Sequence, residues 1–499
     1  MPEMQGHMER LSPVDASFLH QERDMSHMHV GGVVIFEGPP PSQEELVEHL
    51  TSRMGQVPRY RQKLTEPPFE LGRPFWIDDP SFNLDYHLRV TGLPSPGSLE
   101  QLRALVGRIF SQRLDRSKPL WELWLVQGLE DNRFALISKT HHAMVDGVAG
   151  VDISTVLFDV SPVPQEDRDG DGGGPSEDAR ARSWTPAPEP STVGLVGEAV
   201  KDALRAPVGL AGRVLGAVTS PRAAVGGARE TVEALGEVVW AGLNPAPDVP
   251  LNVPIGPHRS VWWTQRPLAE LKEIKDALGG TVNDVVLAVV AGALGRWLRT
   301  RGVRVEGLEL RALVPMSIRA DDDHGTLGNR IAAMRGPLPV YASEPVERLR
   351  IVRESMAGVK DSKQALGAEV IAGLERFAPP TLLAQASRIN FSTRLFNLIV
   401  TNVPGPQFPL YLLGREMQEM VPVAFLPENH ALAIAIMSYN GKVDFGLLGD
   451  YDAMPDIDRM TELIEESLDE LLEAARAAAP RRRKPKPGGG GRRSTSASS

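Results

Sequence analysis

The chain has 499 residues, 42% of them hydrophobic, a formal net charge of -10 and no cysteine. That inventory excludes disulfides, thiolate metal sites, iron-sulfur clusters and a cysteine nucleophile. An acidic body argues against nucleic acid as a partner, and the length is enough for two or three cores, with two the expectation.

The opening "MPEMQGHMERLSPVD" lacks the continuous apolar stretch of a secretory leader. The longest apolar run, Val285 to Leu294, is about half of the roughly 20 residues that a membrane-spanning helix needs. The expectation is a cytoplasmic, non-spanning chain. Ser42 with Glu45 and Ser98 with Gln101 form capping-box spacings ahead of apolar positions, so a helix starts at each. Strand-like runs lie at His29 to Gly38, Trp121 to Leu129 and Arg133 to His142, the last two joined by "EDN" as a hairpin. These elements define a first domain over residues 1–160.

Residues 161–190 are rich in Pro, Gly and acid and read as a disordered linker. Residues 191–249 follow as an apolar helical crossover, broken at Pro207 and Pro221. Its helical part either docks on lipid through an apolar face or packs across the two domains. Its balanced charges favour packing, because membrane-surface helices concentrate Lys and Arg on the polar face.

A second domain is expected over residues 250–479. Thr281 is the N-cap of a helix with Asp284 at its third position and Gly302 just past its end. Strands are expected at "ELRALVPMSI", "RIAAMRGPLPV" and "LFNLIVTNVPGP", then a hairpin with Asn440 and Gly441 at its tip. An amphipathic helix from Asp456 closes the fold, and residues 480–499 form a basic disordered tail. The fold class is mixed α/β, with a strand-and-helix pattern in each half.

The chemistry concentrates in "SKTHHAMVDGVAG" (Ser138 to Gly150), at the end of a strand. Successive strand residues point to opposite faces, so His141 and His142 cannot both enter one site. An imidazole with an ordinary pKa near 6.5 takes and returns a proton near neutrality. Gly147 lets the chain turn sharply. Asp146 either fixes a histidine tautomer or holds the loop through an arginine. The sequence contains no G-x-S-x-G elbow, no Walker-type phosphate loop and no H-E-x-x-H helix. Diverging strand histidines make a poor metal site, and none is expected.

The string "HHAMVDG" resembles the H-H-x-x-x-D-G motif of the CoA-dependent acyltransferase superfamily, which includes chloramphenicol acetyltransferase and peptide-synthetase condensation domains. "LSPVDASFL", "KPLWELWLVQGL", "TVNDVVLAVVAGAL", "LGNRIAAM", "TNVPGP" and "SYNGKVDFGLLGD" are similar to the bacterial bifunctional wax ester synthase/diacylglycerol acyltransferase family. The likeness runs from about Leu11 to about Ala479. It implies two chloramphenicol-acetyltransferase-like domains with mixed sheets flanked by helices and an active-site channel between them.

It further implies that a fatty acyl group passes from acyl-CoA to diacylglycerol, and to long-chain alcohols as a second activity. His142 would be the general base, with no covalent intermediate and no cofactor beyond acyl-CoA as co-substrate. Asp146 would form a structural ion pair, for which Arg319 is the candidate partner; a solvated surface arginine is the other reading of that residue. Asn283 would support either the oxyanion or His142, or with Asp284 only stabilise the helix start. Pro119, Leu120 and Trp121 are candidates for channel lining or for core, and Asn402, Pro404 and Gly405 for a rigid turn shaping the channel. Contact with a membrane or lipid droplet would be peripheral. The alternative is a catalytically silent lipid-surface protein of the same fold.

Overall fold

The structure, a computed structural model, describes residues 8–68, 72–145, 156–163, 184–191, 194–195, 244–317, 331–361 and 392–478. The expected Asp146, Gly147, Arg319, most of the linker and crossover, and the basic tail lie outside them.

Strands are β1 (Met8–Arg10), β2 (His29–Phe36), β3 (Gln62–Thr65), β4 (Phe75–Asp78), β5 (Leu88–Gly92), β6 (Trp121–Gln127), β7 (Phe134–His141), β8 (Arg259–Pro267), β9 (Leu310–Ser317), β10 (Ile331–Leu338), β11 (Leu398–Pro404), β12 (Tyr411–Leu412), β13 (Arg415–Val423), β14 (Leu432–Tyr439) and β15 (Lys442–Asp450). Helices are α1 (Pro13–Gln21), α2 (Gln43–Arg53), α3 (Leu84–His87), α4 (Leu99–Ser111), α5 (His142–Val145), α6 (Leu268–Leu278), α7 (Val282–Thr300), α8 (Pro345–Asp361) and α9 (Ile457–Ala478).

Local signals explain many of these elements. The capping boxes form at Ser42/Glu45, Ser98/Gln101 and Thr281/Asp284, each giving two orphan N–H groups a side-chain acceptor. Asn440 and Gly441 take φ values of 44° and 80°, the left-handed geometry that a tight β14–β15 turn requires. The "EDN" turn between β6 and β7 is closed by Asp131 and Asn132 at positive φ.

The mixed α/β architecture contains two six-stranded mixed sheets and a small antiparallel one, β1-β4-β3. The first large sheet runs β12-β13-β2-β7-β6-β5, and the second β10-β9-β11-β14-β15-β8. The sheets do not follow the linear division of the chain. β13, deep in the second half of the sequence, pairs antiparallel with β2 at the edge of the first half's strands, Val421 opposite Val33.

Helix α7 is buried all round from Val285 to Leu294, packed between the second sheet and α8 and α9. That accounts for the longest apolar run as a core helix. Among the described residues no single helix is long and apolar enough to cross a membrane.

The halves meet through small residues and through cations. A Cβ on Gly446 of β15 would stand 1.9 Å from the Pro422 carbonyl oxygen of β13, and one on Gly107 of α4 would stand 2.7 Å from that of Arg259. Only hydrogen fits at either contact. Arg259 donates its Nη2 to the Met25 carbonyl and its backbone N–H to Ser111 Oγ at 2.8 Å. The Arg103 guanidinium lies 4.5 Å from the ring of Trp262 and 4.7 Å from that of Trp263.

The expected disordered linker is ordered at its end. Trp184 lies under the Arg61 guanidinium at 4.5 Å, Ala187 N–H donates to Asp78 Oδ2 at 3.1 Å, and Glu189 pairs with Lys63 at 2.7 Å. A polar composition did not anticipate that one tryptophan and one acid would find partners on the small sheet.

Because the Gly446 contact is with main chain, Gly446→Ala must push β13 away from β15. A cost of about 1–3 kcal/mol is expected, read as a fall in the thermal midpoint. An unchanged midpoint would show that the two strands do not need this approach.

Candidate active site

The two histidines separate at the point where β7 ends. His141 is the last strand residue: it sits opposite His29 of β2, and its N–H donates to Leu120 O at 2.9 Å. His142 opens α5, its N–H donating to Met28 O at 2.8 Å. His141 points inward and is 1% exposed, whereas His142 is partly exposed.

The surroundings of His141 fix its state. Its Nδ1 accepts the Ala143 N–H at 3.1 Å, so a neutral ring carries its proton on Nε2. That Nε2 has no hydrogen-bond partner and lies 3.8 Å from Glu22 Oε2. Burial, followed by the charge of Arg116, pushes the imidazole pKa down to about 3. His29 is shifted the same way, first by burial and then by Lys139. Glu22 itself is held by Arg116, whose Nε donates to Oε2 at 2.7 Å and whose Nη2 reaches the Leu19 carbonyl at 2.9 Å. The buried Lys139 donates to the carbonyls of Ile109 and Gln112 at 3.0 and 2.9 Å, at the end of α4.

The ring of His142 meets aromatic faces. Phe18 of α1 stacks on it with centroids 3.9 Å apart and planes at 21°. Phe425, from the segment after β13, stands at 5.5 Å and 88°. Ser26 Oγ donates to Leu426 O at 2.8 Å, which ties the loop preceding Met28 to the segment carrying Phe425. Both halves of the sequence therefore contribute to the walls around this imidazole.

Other expected residues fall elsewhere. Leu120 and Trp121 are sealed in the core at 0% and 1% exposure, with Pro119 buried beside them. Trp121 stacks on His87 at 4.6 Å and donates Nε1 to Tyr60 O at 2.8 Å. The three are packing residues and do not line a channel; their link to the site is the Leu120 carbonyl that receives His141 N–H. Asn283 accepts a long hydrogen bond from Asn402 Nδ2 at 3.4 Å, and no hydrogen bond joins it to His142. Asp284 is committed to its cap, its Oδ2 accepting from Thr281 N–H and Oγ1, both at 2.8 Å. Asn402 and Pro404 belong to β11 rather than to a turn; the chain leaves the strand only at Gly405, whose N–H donates to Ser438 O at 2.9 Å.

Sequence reasoning did not single out Phe18, Glu22, Arg116 or Phe425. Phe18 sits within the quoted "LSPVDASFL", and no local spacing connects Phe425 to residue 142. Among the described residues no three His, Asp or Glu side chains converge as a metal-binding group.

The neutral state of His141 sets a pH window. The unfolded histidine binds a proton below pH 6.5, and the folded one refuses it until about pH 3. Its contribution to stability is fully present above pH 6.5 and drains away on acidification toward pH 3, by up to about 1.4 kcal/mol per pH unit. In His141→Asn, whose amide oxygen can still accept the Ala143 N–H, denaturation curves at pH 6.5 and pH 5 should differ less than in the unaltered chain. Equal losses would mean that His141 is protonated in the fold.

Residues 11–286 match the model of the wax ester synthase/diacylglycerol acyltransferase catalytic domain, and residues 327–472 that of the WS/DGAT C-terminal domain. The chain is 31% identical to tgs1 of Mycobacterium tuberculosis, named a probable diacylglycerol O-acyltransferase, over 94% of this chain and 97% of that one. Among solved structures, the wax ester synthase/diacylglycerol acyltransferase from Marinobacter aquaeolei VT8 superposes with a TM-score of 0.62 at 28% identity, covering 93% of this chain and 99% of that one. The first condensation domain of the calcium-dependent antibiotic synthetase shares the fold, with a TM-score of 0.58 at 16% identity and coverage of 95% and 98%.

Proposed function

This chain belongs to the wax ester synthase/diacylglycerol acyltransferase family, and from that membership we propose how its residues act: His142 is the general base that activates the acceptor hydroxyl. The protein is a diacylglycerol O-acyltransferase/wax ester synthase, an enzyme of triacylglycerol and wax ester formation.

One observation carries the assignment of the base. Of the two adjacent imidazoles, His141 is sealed, neutral and occupied by the Ala143 N–H, while His142 is partly exposed at the start of α5. The acyl donor in this reading is a fatty acyl-CoA. His142 takes the proton from the acceptor hydroxyl as its oxygen attacks the thioester carbonyl. The tetrahedral intermediate then collapses, the C–S bond breaks, and the imidazolium returns the proton to the departing CoA thiolate. Such a base contributes about 10²- to 10⁴-fold, and the remainder of the acceleration comes from positioning and from stabilising the oxyanion.

Asn283 is the candidate oxyanion support, because Asn402 engages its carbonyl and leaves its N–H groups as donors. Asp146, with Arg319 as its candidate partner, holds the turn after the base. The acceptors and products are water-insoluble, which favours a cytoplasmic enzyme in peripheral contact with a membrane or lipid droplet.

Purified protein given palmitoyl-CoA with diolein or hexadecanol should release CoA. His142→Ala should lower that rate about 10²- to 10⁴-fold while leaving the thermal midpoint nearly unchanged. Undiminished turnover in His142→Ala would assign the base elsewhere. Offering diolein and hexadecanol together ranks the two acceptors.

A further inference from the structure

We infer that Phe18 is a positioning residue of the reaction, an aromatic shelf that favours the imidazolium form His142 takes while it holds the acceptor's proton. The inference rests on His142 being the base.

The geometry is that of a cation over a ring face. The His142 and Phe18 centroids are 3.9 Å apart with planes at 21°, well inside the roughly 6 Å at which the negative face of an aromatic ring attracts a cation. With the imidazole neutral, the contact is a stack of two rings. When the hydroxyl proton moves onto the imidazole, the same contact becomes a cation–π interaction, which strengthens as charge develops and requires no movement. An interaction stronger at the transition state than in the ground state raises the rate.

The fold holds the shelf in place. Phe18 lies in the last turn of α1, and its carbonyl accepts the N–H of Glu22, the residue that caps that helix. Arg116 pins both the Glu22 carboxylate and the Leu19 carbonyl. Phe425 closes against Phe18 edgewise at 6.1 Å and 81°. The ring therefore has little freedom to leave His142.

Among the described residues, several ionisable groups on the neighbouring elements have hydrogen-bond partners of their own. On β7, His141 is neutral and bound to the Ala143 N–H. On α1, Asp15 accepts from Ser12 and Glu22 from Arg116. In the loop before β2, His27 bonds the Asp24 carbonyl, and beyond Phe425 His430 bonds those of Glu428 and Phe396.

The test is kcat/KM for palmitoyl-CoA and diolein as a function of pH in Phe18→Leu, Phe18→Tyr and His142→Ala. Leucine fills much of the space without a π face. Phe18→Leu should lower plateau kcat/KM by roughly 3- to 30-fold and move the acid limb to lower pH, because the imidazolium has lost support. Phe18→Tyr, which keeps the face, should restore both. Phe18→Met carries the same expectation as leucine if the leucine variant does not fold. A lowered rate with an unmoved acid limb would reduce Phe18 to packing and overturn the inference, and so would a leucine variant of full activity. Activity retained in His142→Ala would instead overturn the base assignment, so the two failures are told apart.

Discussion

Two adjacent histidines leave one strand on opposite sides, and the rest of the site depends on that alternation. The register of β7 against β2 sets His141 across from His29 and turns it into the interior, where Glu22 and Arg116 face it. The next peptide hydrogen-bonds to Met28, so His142 emerges with its ring against Phe18. A slip of one residue in that pairing would exchange the roles, because side chains alternate with period two. The buried ring is committed to holding the Ala143 amide, and the outer, partly exposed ring is the one proposed as the base.

A second requirement is that the halves of the sequence meet closely. Gly446 and Gly107 allow main chain to touch main chain, and Arg259 and Ser26 hydrogen-bond across the seam. The segment carrying Phe425 directly follows β13, so the strand that completes the first sheet also delivers a wall of the site. The pairing of β13 with β2 therefore also sets the position from which Phe425 reaches His142.

Much of this was legible in the letters. Capping boxes, the Asn-Gly hairpin and the divergence of the histidine pair are local properties of three to ten residues, and each took its expected form. The family was readable because its motifs occur in order along the chain. Long-range pairing was not legible. β13 joins β2 across more than 370 positions, and nothing in "REMQEMVPV" names its partner. For the same reason Phe425 could not be assigned to His142, and Trp121 could not be told from a channel residue until Tyr60 and His87 were seen around it. Asn283 sits at a helix start whose capping chemistry is complete without it, so its polar side chain carried no local signal of a contact with Asn402.

The crossing of β13 also bears on how the polypeptide comes off the ribosome. When His141 has emerged, β2 still presents an open outer edge, including Val33 and Ile35, and it keeps that edge until Val423 is made. At about 5–20 residues per second the wait is on the order of 15–60 s, during which an apolar strand edge is open to pairing with other chains. Yield in a heterologous host would then turn on how well nascent chains are shielded over that interval, more than on the stability of the finished fold.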